Sequence, residues 1–248
     1  MGFYLNLEEY QKKILFQKVN DSNSFIGVKL KAIEFLLSFW KGNKELHPPY
    51  MYVDDKDLHR VFLVNQDGKN IISFSFDFTV DIKKENDEYY ISSLKYLKMP
   101  QRITLLHVSE AISILNQYQL DCDNIKDKSI NALYYNISLD EYVHSESILL
   151  FERVAFSEPS YFRYDNTIVG SDDDLHPKQH FDVNYSSLFT YKLGLNKHVV
   201  LQEITDMIHK KKYCPRLFLS KDMIPIRLLE KKKNLSQKRR SKTHKKKQ

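Results

Sequence analysis

The sequence predicts an α+β protein in which helices pack against antiparallel sheets. Two patterns of apolar residues lead to this prediction: helical spacing over residues 24–40 and strict alternation over residues 72–82. Helical and extended segments lack the regular strand–helix–strand order of a doubly wound fold, which argues against a parallel sheet. A basic C-terminal end without apolar periodicity completes the expected architecture.

The N-terminal part of the chain is predicted to be helical and then extended. Residues 5–19 have the pattern of a charged helix. The helix over residues 24–40 is closed by Gly42, because glycine is common just beyond helix ends. The strand over residues 72–82 is half-buried, since its alternating apolar and polar side chains point to opposite faces.

That strand is expected to lie at the centre of a three-stranded antiparallel meander. Residues 60–64 precede it through an Asp-Gly dipeptide, which favours a tight hairpin turn. Residues 89–97 follow it beyond a polar turn and supply the third strand. Pro100 then ends the unit, because proline interrupts regular backbone hydrogen bonding.

Helices and strands are predicted to alternate again in the rest of the chain. Residues 105–115 have helical spacing, and a polar loop follows at 121–128. Residues 199–209 form an amphipathic helix whose inward side chains are Val200, Ile204, Met207 and Ile208. The strands predicted between these helices are residues 131–138, 147–156, 160–164, 179–185 and 189–193.

We expect one α+β domain over residues 1–225, with a sub-boundary near 100–125, and a disordered basic tail over 226–248. The chain has 38 Lys and Arg residues, and ten of them fall within residues 231–248, which hold no acidic residue. The other 28 are outnumbered by 32 Asp and Glu residues, although the whole chain carries a net charge of +6. The basic character therefore belongs to the tail.

The tail predicts a nucleic acid, or another polyanion, as a partner. Basic side chains neutralise phosphates, and the counterions released by each contact make such binding depend on salt. The tail has no aromatic residue, so base stacking is not expected there. The alternative is a solvated end that only improves solubility. The residues predicted to bind nucleic acid are Lys231, Lys232, Lys233, Lys238, Arg239, Arg240, Lys242, Lys245, Lys246 and Lys247.

Several protein classes are disfavoured by what the sequence lacks. No apolar run approaches the roughly 20 residues of a membrane helix, and the N-terminus lacks the order of a secretory signal, so no membrane partner is expected. The chain has two cysteines, which indicates neither a disulfide framework nor a cysteine zinc site and favours a cytoplasmic location. Its six scattered glycines form no phosphate-binding loop, and no GxSxG or HExxH motif is present.

The candidate functional site lies within residues 161–194, where histidines, aspartates and tyrosines are concentrated. On the predicted strand over 179–185, period two places His180, Asp182 and Asn184 on one face and apolar or aromatic residues on the other. An imidazole can act as a general base near neutral pH or as a metal ligand. A carboxylate two residues away can orient it or share the metal. We therefore expect a catalytic or binding surface here.

Three further residues complete the predicted catalytic set. His176 lies four residues before His180, and the intervening Pro177 places it in a loop. Arg163 and Asp165 share one face of another predicted strand. The ordinary alternative for such a pair is a structural ion pair to neighbouring strands, and the histidine surface can equally bind a ligand without chemistry.

The sequence leaves the cofactor unknown, with a divalent metal as the candidate. The aspartates at 172–174 offer the hard oxygen ligands that suit magnesium. A solvated acidic loop is the alternative explanation of this triplet. The histidine and aspartate of the strand over 179–185 offer a second possible set of ligands.

The order of these motifs resembles an uncharacterised bacterial family of unknown function, number 2290, over about residues 160–212. A similar arrangement is seen in TumE-type proteins, the toxin partners of toxin–antitoxin pairs. The resemblance implies a bacterial toxin or defence setting and a functional cluster formed by Arg163, Asp165, His176 and His180. The chain departs from the pattern at Asp182 and at residues 191–194, which lack a proline-rich strand end. The matching residues are Phe162-Arg163-Tyr164-Asp165, His176-Pro177-Lys178 and His180.

These observations lead to two functional hypotheses. The first is a cytoplasmic bacterial protein of defence or toxin type that cleaves nucleic acid, with His176 or His180 as general base or acid and Arg163 stabilising phosphate charge. Two histidines permit metal-independent RNA cleavage, whereas a His–Asp metal site permits DNA cleavage as well. The second is a non-enzymatic interaction or ligand-sensing subunit of a multi-component defence complex, with a partner protein from the same operon.

Overall fold

The structure is a computed structural model of the chain. Within the residues that it describes, five helices and two antiparallel sheets form, which confirms the predicted α+β class. The described residues are 2–42, 45–65, 68–97, 101–124, 144–156, 160–166, 177–184, 191–195 and 197–209. The predicted strand over 131–138, the predicted domain end at 225 and the basic tail lie outside these residues.

The helices and strands alternate irregularly along the chain. The helices are α1 (Glu9–Leu15), α2 (Ser22–Phe39), α3 (Leu105–Asn124), α4 (Ser145–Phe156) and α5 (Leu201–Ile208). The strands are β1 (Phe3–Asn6), β2 (Tyr50–Asp54), β3 (Arg60–Val64), β4 (Asn70–Ser75), β5 (Phe78–Glu85), β6 (Glu88–Tyr96), β7 (Arg102–Ile103), β8 (Phe162–Asn166), β9 (Gln179–Val183) and β10 (Tyr191–Gly194).

The strands form two antiparallel sheets. The larger sheet has seven strands in the order β1-β2-β3-β4-β8-β9-β10, and the smaller has three in the order β5-β6-β7. Strand β8 pairs with β4, so a segment near residue 165 joins a segment near residue 72. This pairing brings the predicted site next to the N-terminal part of the chain.

The predicted meander is wrong because its central strand is divided between the two sheets. Strand β4 ends at Ser75 and pairs with β3, whereas β5 begins at Phe78 and pairs with β6. Phe76 and Phe78 are both buried, at 2% and 5% exposure. The apolar alternation therefore continues through the break, and the pattern alone could not reveal it.

Three other element predictions are wrong. Helix α3 continues to Asn124, so residues 121–124 of the predicted polar loop over 121–128 are helical. Residues 147–156, predicted as a strand, belong to helix α4, whose buried residues Ser147, Leu150, Phe151 and Val154 have helical spacing. Of residues 5–19, predicted as one helix, only 9–15 are helical (α1), and residues 5 and 6 belong to β1. The predicted helix over 24–40 is confirmed as α2, which begins where the Asp21 side chain accepts a hydrogen bond from the Ser24 amide (2.8 Å).

The elements after residue 160 agree with the prediction within a few residues. Strands β8, β9 and β10 correspond to the three short strands predicted there, and α5 corresponds to the amphipathic helix. Ile204 is buried on α5 as expected. Val200 was predicted to point inward but is 50% exposed, because it lies at the N-cap position, before the helix begins.

The core has two parts, one on each face of the larger sheet. The main part lies between the sheet, the smaller sheet and helices α2, α3 and α4, and includes Met51, Leu63 and Phe74. The second part includes Phe62 and Tyr164 from the opposite face, packed with Ile204 of α5. The larger sheet is therefore covered on both faces, and the site residues are placed relative to these two cores.

Candidate functional site

Four of the predicted site residues meet on strands β8 and β9. In the antiparallel register, Arg163 lies opposite Asp182, and Asp165 lies opposite His180. Lys192 on β10 lies opposite Asp182 from the other side. Directly opposed residues point to the same face of a sheet. We call these five residues the charged cluster.

Ion pairs connect the cluster across three strands. The Arg163 guanidinium donates to Asp165 Oδ2 from Nε (2.7 Å) and to Asp182 Oδ2 from Nη2 (2.6 Å). Lys192 Nζ donates to Asp182 Oδ1 at 2.7 Å. Two carboxylates are thus balanced by two cations. The planar guanidinium uses two of its fixed donors, which makes it an efficient bridge between neighbouring strands.

The carboxylates and the imidazole are buried, while the cations reach solvent. Asp165 and Asp182 are 6% and 5% exposed, and His180 is fully buried. The side chains of Arg163 and Lys192 retain 31% and 34% exposure. Buried carboxylates are stable only when they are paired. The two cations therefore form the solvent-facing side of the cluster.

His180 is oriented with one ring nitrogen towards the carboxylates. Its Nδ1 lies 2.8 Å from the Pro177 carbonyl oxygen, which can only accept, so Nδ1 carries the proton. The Nε2 lone pair then faces Asp165 Oδ2 and Asp182 Oδ1, each at 3.7 Å. Burial lowers the pKa of His180, an effect that the Pro177 hydrogen bond and Asp182 oppose. The neutral imidazole is the form that binds metals.

The nitrogen of His180 and one oxygen from each carboxylate can hold a metal ion. All three atoms lie within 4.8 Å of one another. A tetrahedral ion bound at about 2.1 Å separates its ligands by about 3.4 Å, so the 3.7 Å spacings need only a small contraction. One imidazole and two carboxylates suit Mn²⁺ or Zn²⁺ better than Ca²⁺. The three atoms are therefore a candidate metal site, and the Lys192 ammonium already contacts two of them.

Neighbouring groups hold the ligands in place. Asn70 on β4 donates from Nδ2 to Asp165 Oδ1 at 2.7 Å, which fixes that carboxylate.

Beside Arg163, burial raises the pKa of Tyr161 to about 12, although the guanidinium opposes this shift. Burial by itself lowers the pKa of Arg163, but Asp165 and Asp182 raise it above its ordinary value. The guanidinium therefore stays charged.

The remaining predicted site residues have two different outcomes. His176 and the aspartates at 172–174 lie outside the described residues, as do the ten basic residues of the tail. Asn184, expected on the same polar face, follows the end of β9 and has a left-handed backbone (φ 73°). It therefore does not extend the polar face of the strand.

Sequence reasoning missed Lys192 and Asn70. The signal for Lys192 was present, because an antiparallel pairing of the two last predicted strands would bring it opposite Asp182. Asn70 could not be found this way. Its contact depends on β4 pairing with a strand about 95 residues later in the chain.

In the part of the chain that the structure covers, no helix is both long enough and apolar enough to cross a membrane. Comparison with known proteins gave no matching family model, no matching curated protein and no matching solved structure, so functional inference rests on the geometry of the charged cluster.

Proposed function

We propose that this protein is a divalent-metal-dependent nuclease whose metal is held by Asp165, His180 and Asp182. The observation that carries the proposal is the convergence of one imidazole nitrogen and two carboxylates within 4.8 Å. Buried ionisable groups that converge at one end of a sheet are candidates for a functional site, because burying charged groups costs free energy. When bound, a divalent ion supplies Lewis acidity and makes water a better nucleophile near neutral pH.

The residues of the cluster divide the work of phosphodiester hydrolysis. Water forms a bond to phosphorus while one ester bond breaks, and a proton passes to the leaving oxygen. Arg163 and Lys192 face solvent, where their charges can stabilise the negative charge that develops on the phosphate oxygens. Asn70 keeps the Asp165 carboxylate oriented.

A metal-dependent route is favoured over cleavage by two histidines. The His180 ring is fully buried, and its Nε2 faces carboxylates and Lys192 rather than solvent. A general base must come within hydrogen-bond reach of the proton it removes. His180 is better placed as a ligand, and His176 is not required by the proposal.

The proposed biological setting is a bacterial toxin or defence protein acting in the cytoplasm. This setting comes only from the order of sequence motifs over residues 160–212, since no family model matches the chain. The ten basic residues within 231–248 would tether the nucleic acid through its phosphates. Removing them is expected to weaken binding and to reduce its dependence on salt.

The test uses the full-length protein with labelled RNA and DNA. Cleavage is expected in Mn²⁺ or Zn²⁺, to be abolished by EDTA, and to fall at least 100-fold in Asp165→Asn and Asp182→Asn because both remove a ligand charge. Asp87→Asn is the matched control, since Asp87 is 94% exposed on the β5–β6 turn. Cleavage that survives both ligand substitutions would contradict the assignment.

A second candidate function is the non-enzymatic interaction subunit of a multi-component complex. The observation that favours it is the pairing of both cations, Arg163 and Lys192, with the two carboxylates. A network of this kind is sufficient to hold β8, β9 and β10 together without any chemical role. In that case the ligand substitutions reduce stability, no Mn²⁺ binds, and a partner protein co-purifies with the wild type.

A further inference from the structure

We propose that Lys192 occupies the position of the metal, so that its ammonium group and a divalent ion compete for the same ligands. The proposal rests on the proposed metal centre and concerns how that centre is loaded. Lys192 Nζ lies 2.7 Å from Asp182 Oδ1 and 3.3 Å from His180 Nε2. It therefore already contacts two of the three candidate ligand atoms.

The distances leave no room for both cations. Asp182 Oδ1 and His180 Nε2 are 3.7 Å apart, and with the two contacts above this places Nζ about 2.4 Å from their midpoint. An ion bound at about 2.1 Å to both atoms lies within about 1 Å of that midpoint. The ammonium nitrogen and the ion would therefore be about 1.4 to 3.4 Å apart, depending on the side of the midpoint on which the ion lies. Two positive charges at that separation repel each other strongly. One must leave when the other binds.

Lys192 is the cation that can leave. It lies on β10, at one end of the described strand order, and a third of its side chain is exposed. Its long, flexible stem can turn the ammonium to solvent without moving the backbone. Arg163 is held by two carboxylates through two nitrogens, so its departure would break both contacts.

The exchange also changes the charge of the centre. With Lys192 in place, two carboxylates face two cations and the net charge is zero. Replacing the ammonium by a divalent ion adds one positive charge, and the displaced ammonium then lies where a phosphate can neutralise it. Metal and substrate are therefore expected to favour each other's binding, since each removes an obstacle for the other.

The test is a calorimetric titration of MnCl₂ into the full-length protein. Lys192→Met should bind Mn²⁺ at least 10-fold more tightly than the wild type, because the competing cation has been removed. Lys197→Met is the control, since Lys197 is 72% exposed and pairs with Glu203 outside the cluster; its affinity should equal that of the wild type. Lys192→Arg keeps the charge and should not tighten binding.

The outcomes separate this proposal from the proposed function. Equal Mn²⁺ affinity in the wild type and Lys192→Met would overturn the competition and leave the metal centre intact. Mn²⁺ binding by neither protein would overturn the metal centre itself. A second measurement needs no variant: addition of ZnCl₂ to the wild type should shift the Lys192 side-chain NMR signals to values typical of a solvated lysine. Unchanged Lys192 signals with Zn²⁺ bound would also refute the exchange.

Discussion

Strands β2–β4 and strands β8–β10 present one face of the same sheet, but the two halves are filled differently. The first half is apolar and packs under helix α2, with Met51, Leu63 and Phe74 in the main core. The second half carries the charged cluster. Apolar burial stabilises in proportion to area, and each side chain contributes separately. A charged network depends on complete pairing, because one missing partner leaves a buried charge.

The largest expected effect comes from breaking the apolar half. Phe74 is 2% exposed, and its ring packs edge-on against that of Phe25, with 5.9 Å between the ring centroids. Phe74→Ala should lower the free energy of unfolding by about 4 kcal/mol, through lost burial and the cavity that remains. Urea unfolding followed by the fluorescence of Trp40 measures this. Ile82→Ala, at a position 44% exposed, is the control and should cost far less.

Breaking the charged half should cost somewhat less and should not be additive. Arg163→Met leaves Asp165 and Asp182 without their shared partner, and we expect a loss of about 3 kcal/mol. The double variant Arg163→Met/Asp165→Asn should be more stable than the sum of the single changes predicts, by at least about 1 kcal/mol. Urea unfolding of the four proteins gives this coupling energy. Strict additivity would mean that the network contributes no pairing energy.

A smaller effect tests a charge placed within the apolar half. Lys29 on α2 is 5% exposed, and burial lowers its pKa from 10.5 to about 8. The unfolded chain keeps this proton to higher pH, so it binds more protons between pH 8 and 10.5, and stability should rise with pH across that window. Below the folded pKa both states are protonated and the burial penalty is fully present.

Lys29→Met should remove this dependence on pH. We expect the variant to be more stable than the wild type at pH 7 by about 2 kcal/mol, with the difference shrinking towards pH 9.5. Thermal unfolding between pH 7 and 9.5 provides the measurement and stays below the pKa of about 10 of the tyrosines in the unfolded chain. Lys31→Met, whose lysine is 33% exposed and paired with Glu34, should retain the rise with pH.

More of the charged cluster could be predicted from the sequence than of the residues that contact it from neighbouring strands. Period two correctly placed Arg163 with Asp165 and His180 with Asp182, because a single strand determines which residues share a face. Lys192 required the register between two strands, and Asn70 required a pairing that only the folded chain defines. His176 stays a prediction, since it lies outside the described residues.

The errors in the fold have a different physical origin. The division between β4 and β5 was hidden because Phe76 and Phe78 are buried on both sides of it. Helix α4 was mistaken for a strand because its short apolar run fits either period, and tertiary packing decides between them. Local pattern thus identified faces well and sheet membership poorly.

The junction between β4 and β8 has a consequence for how the chain must be produced. The backbone edge of β4 is paired by residues 162–165, and just beyond it the Asn166 amide donates to the Lys69 carbonyl at 2.8 Å. A fragment that stopped near residue 156 would leave that edge open, and open strand edges recruit other chains. Truncated forms of the N-terminal part are therefore expected to self-associate. During synthesis, the pairing between β4 and β8 can form only after residue 166 has emerged from the ribosome.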